Sequence, residues 1–366
     1  MAIRNSLLNC SLVYVSAALA CVAISCPAFA KGLGGPLTLA DEGAFFVNGR
    51  AINSQYPGAS LITGPSPPGR MTINQMYVHY RIPSDRRGVP IVMVHGSNHT
   101  GMTYETTPDG REGWATWFVR QGHPVYVVDQ SGRGRSGFNP TPINAVRDGG
   151  ADPKAMPTLM LGSLERAWPN FRFGPVYPTP YPNVQFPLEA LDQYLMQLVP
   201  NTETTLEGNV AQSAEALAAL LDKIGAAVIM VHSQSGVVGL DAVRKRPALV
   251  RALVSVEGGC ETMKPEDAKL FAGASGADNA PARAKVPFVS VWGDNSVGAK
   301  DTINGDNRRN GCAAAAKLVA DAGGRGSLVL LPETGIKGNS HMMMMDKNNL
   351  VVAAALRRWI VKNAGK

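Results

Sequence analysis

The stretch Val228-Ile229-Met230-Val231-His232-Ser233-Gln234-Ser235-Gly236 constrains this chain more than any other. An apolar run too short for a helix stops at small polar residues, and Val237 to Lys245 then take up helical spacing. Such a run reads as a strand buried on both faces, the kind found in parallel sheets covered by helices. The same rhythm recurs along the chain. Strands are predicted at Ile73 to Tyr80, Pro90 to His95, Pro124 to Asp129, Ala227 to His232, Ala252 to Val256, Val286 to Trp292 and Leu328 to Leu331. Helices are predicted at Trp114 to Gln121, Leu206 to Ile224, Val237 to Lys245, Cys312 to Ala322 and Asn348 to Lys362. This alternation predicts an α/β fold with a mostly parallel central sheet flanked by helices. No internal repeat is visible.

Two regions break the rhythm. Residues 31–70 are rich in Gly, Pro and Ser around one apolar run, Ala44 to Val47, and read as an arm or edge hairpin. Between residues 138 and 205, prolines from Pro140 to Pro187 exclude a long helix or strand. That insertion carries Trp168, Phe171, Phe173, Tyr177, Tyr181 and Phe186, which predicts a cap packed over the main body, residues 71–366. The alternative is a surface decoration unrelated to any site.

The chain opens with Arg4, an apolar stretch from Leu12 to Ile24 and Ala28-Phe29-Ala30, the pattern of a signal peptide cleaved after residue 30. A lipoprotein anchored at Cys21 or Cys26 fits less well, since neither has a Leu three positions earlier. A periplasmic or secreted protein is therefore expected, with no stable membrane span. Losing Arg4 takes the net charge from +7 to +6, and the cations are scattered, so a nucleic-acid partner is not expected. Of five cysteines, only Cys260 and Cys312 follow the leader. Two thiols in an oxidising compartment point to one disulfide, with two separate buried thiols as the alternative. Nothing in the sequence sets an oligomeric state.

A serine at the end of a buried strand and the start of a helix is placed to act as a nucleophile: its hydroxyl is exposed and the helix N-terminus favours developing negative charge. The G-x-S-x-G pattern is imperfect here whether centred on Ser233 or on Ser235, and Ser233 is preferred because it stands at the strand end. Such a serine needs a base. His341 is the only histidine after it and lies in the loop Gly338-Asn339-Ser340-His341, between the last predicted strand and helix. The acid is either Glu257 or Asp294, each at the end of a predicted strand. An oxyanion hole would use the backbone N–H of Gln234 and, from the loop His95-Gly96-Ser97-Asn98-His99-Thr100-Gly101, that of Ser97.

Two segments point elsewhere. Gly132-Arg133-Gly134-Arg135-Ser136-Gly137 satisfies the dinucleotide fingerprint G-x-G-x-x-G, but a proline-rich stretch follows it where a helix is required. Read from Asp129, it is the D-x-x-G-x-G-x-S turn that follows a strand. Met342 to Met345 would suit a soft metal, yet four adjacent thioethers cannot converge on one ion, so they are expected as packing around the base. No histidine pair has metal spacing, and no metal or cofactor is expected.

The sequence resembles the α/β-hydrolases of the bacterial esterase 713 group. The likeness is carried by His95-Gly96 through Arg111, Asp129 through Ser136, His232 through Gly236, Ser255-Val256-Glu257 and Gly338 through Met344. The resemblance implies a triad with a glutamate after the sixth strand, which selects Glu257 over Asp294. It also supports bridging Cys260 to Cys312. One departure is plain: adjacent cysteines follow His-Gly in the group, and Ser97 and Asn98 stand here, so no bridge can stiffen this loop. The function implied is hydrolysis of a small-molecule carboxylic ester through an acyl-enzyme on Ser233, His341 and Glu257. Amide, lactone or C–C cleavage on the same fold, or ligand binding without catalysis, are the alternatives.

Overall fold

The computed structural model describes residues 34–202, 209–273, 285–300 and 303–365. The expected signal peptide, residues 31–33 of the arm and residues 203–205 of the insertion lie outside them. Eight strands form the central sheet: β1 (Leu39–Val47), β2 (Met76–Pro83), β3 (Ile91–Val94), β4 (Val125–Asp129), β5 (Ala227–His232), β6 (Val250–Val256), β7 (Phe288–Trp292) and β8 (Gly326–Leu330). Their order is β1-β2-β4-β3-β5-β6-β7-β8. Only the pairings of β2 with β1 and β4 are antiparallel; the sheet from β4 to β8 is parallel.

The mostly parallel sheet follows from the apolar runs. Every residue of β3, β5 and β7 is buried, and side chains alternate between faces. Along β5, Ile229 and Val231 join the core with Leu217, Leu220 and Val238, from helices α1 (Asn209–Ile224) and α2 (Gly236–Lys245). Val228 and Met230 join the opposite core with Trp114, Val352 and Leu356. Each such side chain contributes about 1.5–3 kcal/mol on burial. A third long helix, Asp306–Asp321, flanks β8, and a fourth, Asn349–Ala364, lies near the C-terminus.

Strand boundaries shift by a few residues from the predicted ones, most at β2, which starts at Met76 instead of Ile73. Asn74 takes a left-handed backbone, φ 63°, which an amide side chain tolerates. The break leaves Gly69–Ile73 to pair with Arg50–Ser54 in a separate ribbon. Within the predicted arm, residues 39–47 form the sheet edge. Among the described residues the insertion contains short helices, the longest being Thr141–Arg147, Leu164–Asn170 and Leu191–Met196. All four methionines from Met342 to Met345 are buried in the second core.

Sheet register places the ends of three strands together. His232 of β5 lies beside Val256 of β6, and Val231 beside Val94 of β3. The residues that follow therefore emerge side by side: Ser233, Glu257 and the loop beginning at His95.

Candidate active site

Ser233 leaves β5 with φ 55°, a left-handed backbone that costs a non-glycine residue about 1–3 kcal/mol. Neighbouring backbone holds it there. Its carbonyl accepts from Gly259 N–H at 2.9 Å, and the turn is pressed against glycines that tolerate no side chain. A Cβ on Gly96 would fall 2.8 Å from Ser233 Cβ, and one on Gly236 only 2.2 Å from Gly259 N. Ser235, the other serine of the motif, is committed to structure: its hydroxyl bonds the carbonyls of Val94 and His232, each at 2.9 Å. Ser233 instead lines a cavity of about 210 Å³ with Ser97, Gln234 and Phe171.

His341 and Glu257 meet next to the strand end that precedes Ser233, where the imidazoles of His341 and His232 lie 4.6 Å apart. His341 Nδ1 lies 2.6 Å from Glu257 Oε2, and since the carboxylate can only accept, Nδ1 carries the proton. His341 Nε2 is buried without a hydrogen-bond partner among the described residues. Phe171 stacks on the imidazole at 5.5 Å and accepts the His341 N–H through its carbonyl. Burial pushes His341 down to about 4, against the opposing pull of Glu257. For Glu257, burial acts upward, but the charge of Arg172 and the bonds from His341 outweigh it and hold the carboxyl below its ordinary range. Glu257 Oε1 also accepts from Gly293 N at 2.8 Å and from Arg172 Nη2.

Among the described residues, Asp294, the other acid considered from sequence, forms no hydrogen bond or ion pair with the imidazole. Its carboxylate accepts from Asn339 N and Asn183 Nδ2, each at 3.2 Å. It braces the loop carrying His341. The base of that loop is held by Asp346, which accepts from Ser340 N, Ser340 Oγ and Asn339 Nδ2.

Ser97 and Gln234 stand on the same cavity as Ser233. The Ser97 loop is tied by amides: Asn98 N donates to Asn201 Oδ1 at 2.8 Å, and Asn201 Nδ2 donates to Ser97 Oγ at 2.8 Å. Asn98 Nδ2 reaches the carbonyls of Met160 and Val199. From beneath, buried Arg133 donates to the carbonyls of Gly96 and His99. Asp129 takes Gly101 N, Arg135 N and the Arg135 side chain. The G-x-G-x-x-G segment thus supports this loop with its own side chains. A Cβ on Gly134 would fall 2.7 Å from Asp129 Oδ2.

Arg172 was not singled out from sequence. It lies between Phe171 and Phe173, is 1% exposed, and also donates to the carbonyls of Asp294 and Asn304. A cation bracketed by aromatics inside an apolar insertion was the available signal. Of the insertion's aromatics, Phe171 lines the cavity; Trp168 packs behind it on Phe173 and Tyr177.

A solved structure described as a novel bacterial esterase is 40% identical to this chain. The alignment covers 90% of this chain and 98% of that one, with a TM-score of 0.81. The chain belongs to this family of α/β-hydrolase esterases. A curated relative named as a probable secreted lipase phiG, from Fungal sp., is 28% identical over 322 residues, covering 78% of this chain and 86% of that protein. No protein-family model matches. A Cys260–Cys312 disulfide ties the loop after Glu257 to helix Asp306–Asp321. Among the described residues, no helix is long and apolar enough to cross a membrane.

Proposed function

We propose that this α/β-hydrolase is a serine carboxylesterase working through a Ser233–His341–Glu257 triad and an acyl-enzyme. The observation that carries the reading is the state of His341: Nδ1 is fixed on Glu257 at 2.6 Å, and among the described residues Nε2 is left buried and unpartnered. Such an imidazole can accept a proton at Nε2 while the carboxylate steadies the charge that forms.

Ser233 Oγ attacks the ester carbonyl carbon as its proton passes to His341 Nε2. The carbonyl oxygen becomes an oxyanion, held by the backbone N–H groups of Ser97 and Gln234. Collapse breaks the bond to the alcohol, which leaves with the proton from His341. Water then repeats the sequence on the acyl-Ser233 ester, giving its proton to His341, and Ser233 recovers it as the acid departs. The insertion serves as a cap, placing Phe171 on the imidazole and Arg172 on Glu257. Residues 1–30 direct export, a reading supported by the disulfide and by the secreted relative.

The test is hydrolysis of p-nitrophenyl esters by wild type, Ser233→Ala, Glu257→Ala and Asp294→Ala, with fluorophosphonate labelling of each. Loss of turnover in the first two variants, activity retained in Asp294→Ala, and labelling dependent on Ser233 are expected. An unlabelled wild type inactive on every ester would overturn the reading.

A further inference from the structure

The cavity beside Ser233 is apolar over most of its wall, yet two arginines, Arg166 and Arg308, line it, and no acidic side chain does among the described residues. We infer that it takes esters whose acyl part carries a free carboxylate, the half-esters of short dicarboxylic acids, with Arg308 as the residue that binds the anion. This rests on the ester-hydrolase reading and names its substrate class.

Arg308 is a cation with spare capacity. Its side chain is 16% exposed, and its only hydrogen bond among the described residues runs from Nη1 to Asn304 Oδ1 at 2.7 Å. Nε is buried with no hydrogen-bond partner. Glu261, half-exposed, forms an ion pair with Nε at 3.7 Å, longer than a hydrogen bond and open to solvent. A desolvated guanidinium so lightly engaged favours a carboxylate that can use its planar fork. Arg166 adds a second positive charge at the exposed side of the cavity, and among the described residues its side chain makes no ion pair. The field of Arg308 reaches the reacting centre, since it is one of the charges acting on His341.

Size narrows the class. At about 210 Å³ the cavity is smaller than the roughly 300–1,000 Å³ typical of pockets for drug-sized ligands, which suits a short acyl chain. A short chain bearing a terminal carboxylate would put its apolar part on Phe171 and Leu198 and its charge at Arg308. Hydrolysis would release the alcohol and a second carboxylate on the same acid.

The experiment compares kcat/KM for monoethyl succinate and for ethyl pentanoate by pH-stat, in wild type, Arg308→Gln, Arg308→Lys and Glu261→Gln. Wild type should favour the charged ester, and the preference should weaken as salt is raised. In Arg308→Gln the ratio of charged to neutral ester should fall about ten- to a hundred-fold, the worth of a charged hydrogen-bonded contact. Arg308→Lys should restore part of it, and Glu261→Gln should keep or raise it. If wild type hydrolyses ethyl pentanoate with no preference for the charged ester, or if Arg308→Gln leaves the ratio unchanged, the substrate proposal falls and ester hydrolysis stands. If wild type turns over neither ester nor any p-nitrophenyl ester, both fall together.

Discussion

Arg172 donates from Nη2 to Oε1 of Glu257, the carboxylate whose other oxygen accepts from His341. The cation comes from the insertion and the carboxylate from the end of β6, so the insertion is tied to the hydrogen-bonded Glu257–His341 pair. In Arg172→Gln the charge partner of a buried carboxylate is gone, a loss that costs about 3–5 kcal/mol where one member of such a pair is removed. The charge of Arg172 also depresses His341. Its removal should therefore move the acid limb of kcat/KM to higher pH, with Arg172→Lys intermediate. Thermal unfolding and a pH–rate profile check both effects. An unshifted limb would show that Arg172 acts only as a structural tie.

In the proposed mechanism His341 accepts a proton only when neutral, and burial holds it at about 4. Activity should accordingly be half-maximal near pH 4 and level above it. The same depression sets a stability trend. The folded state binds the proton more weakly than the unfolded chain, whose histidine titrates near 6.5. Stability from this group is then complete above about pH 6.5 and is lost as pH falls through about 4. A kcat/KM limb near 6.5 instead would mean that the imidazole is solvated when substrate arrives.

Ser233, Glu257 and His341 were legible in the sequence for different reasons. Ser233 stands where a six-residue apolar run meets a helix, and His341 is the only histidine beyond it. Periodicity and chain order need no tertiary information. The choice of Glu257 over Asp294 did need it, because both end buried strands and both lie near the histidine loop. Only register, with Val256 beside His232, puts Glu257 level with Ser233. Resemblance supplied that choice; composition could not. Arg172 and Asn201 are harder to read from sequence for a further reason. Each acts across about 85–105 residues of chain, from a segment whose prolines erase the periodic signal on which the rest of the reading depended.

The loop carrying Ser97 lacks the adjacent cysteines of the group it resembles, and Asn201 ties it through both Asn98 N and Ser97 Oγ. Asn201→Ala removes both bonds and strands a buried backbone N–H, at about 1–3 kcal/mol. If Ser97 N–H stabilises the oxyanion, the loosened loop should lower kcat by about ten-fold or more and leave KM nearly unchanged, since the bonds matter most in the transition state. Steady-state kinetics with p-nitrophenyl acetate decide it. A change confined to KM would place the loop in ground-state binding alone.

The Cys260–Cys312 bond spans 52 residues and joins the loop following Glu257 to the helix that carries Arg308. Closing a loop of that length restricts the unfolded chain by about 4 kcal/mol in the chain-entropy account. Both sulfurs are buried, so replacing both cysteines by alanine leaves no reactive thiol and little lost volume. The double variant should unfold about 10 °C lower, given a few degrees per kcal/mol for a chain of this size. A reductant should lower the melting temperature of wild type toward the same value and leave the variant unmoved. The helix anchored by Cys312 also positions Arg308, four residues earlier, so preference for a charged ester should weaken in the variant at temperatures where both proteins are folded. Melting temperatures that coincide before and after reduction would show that the two thiols are not joined in solution.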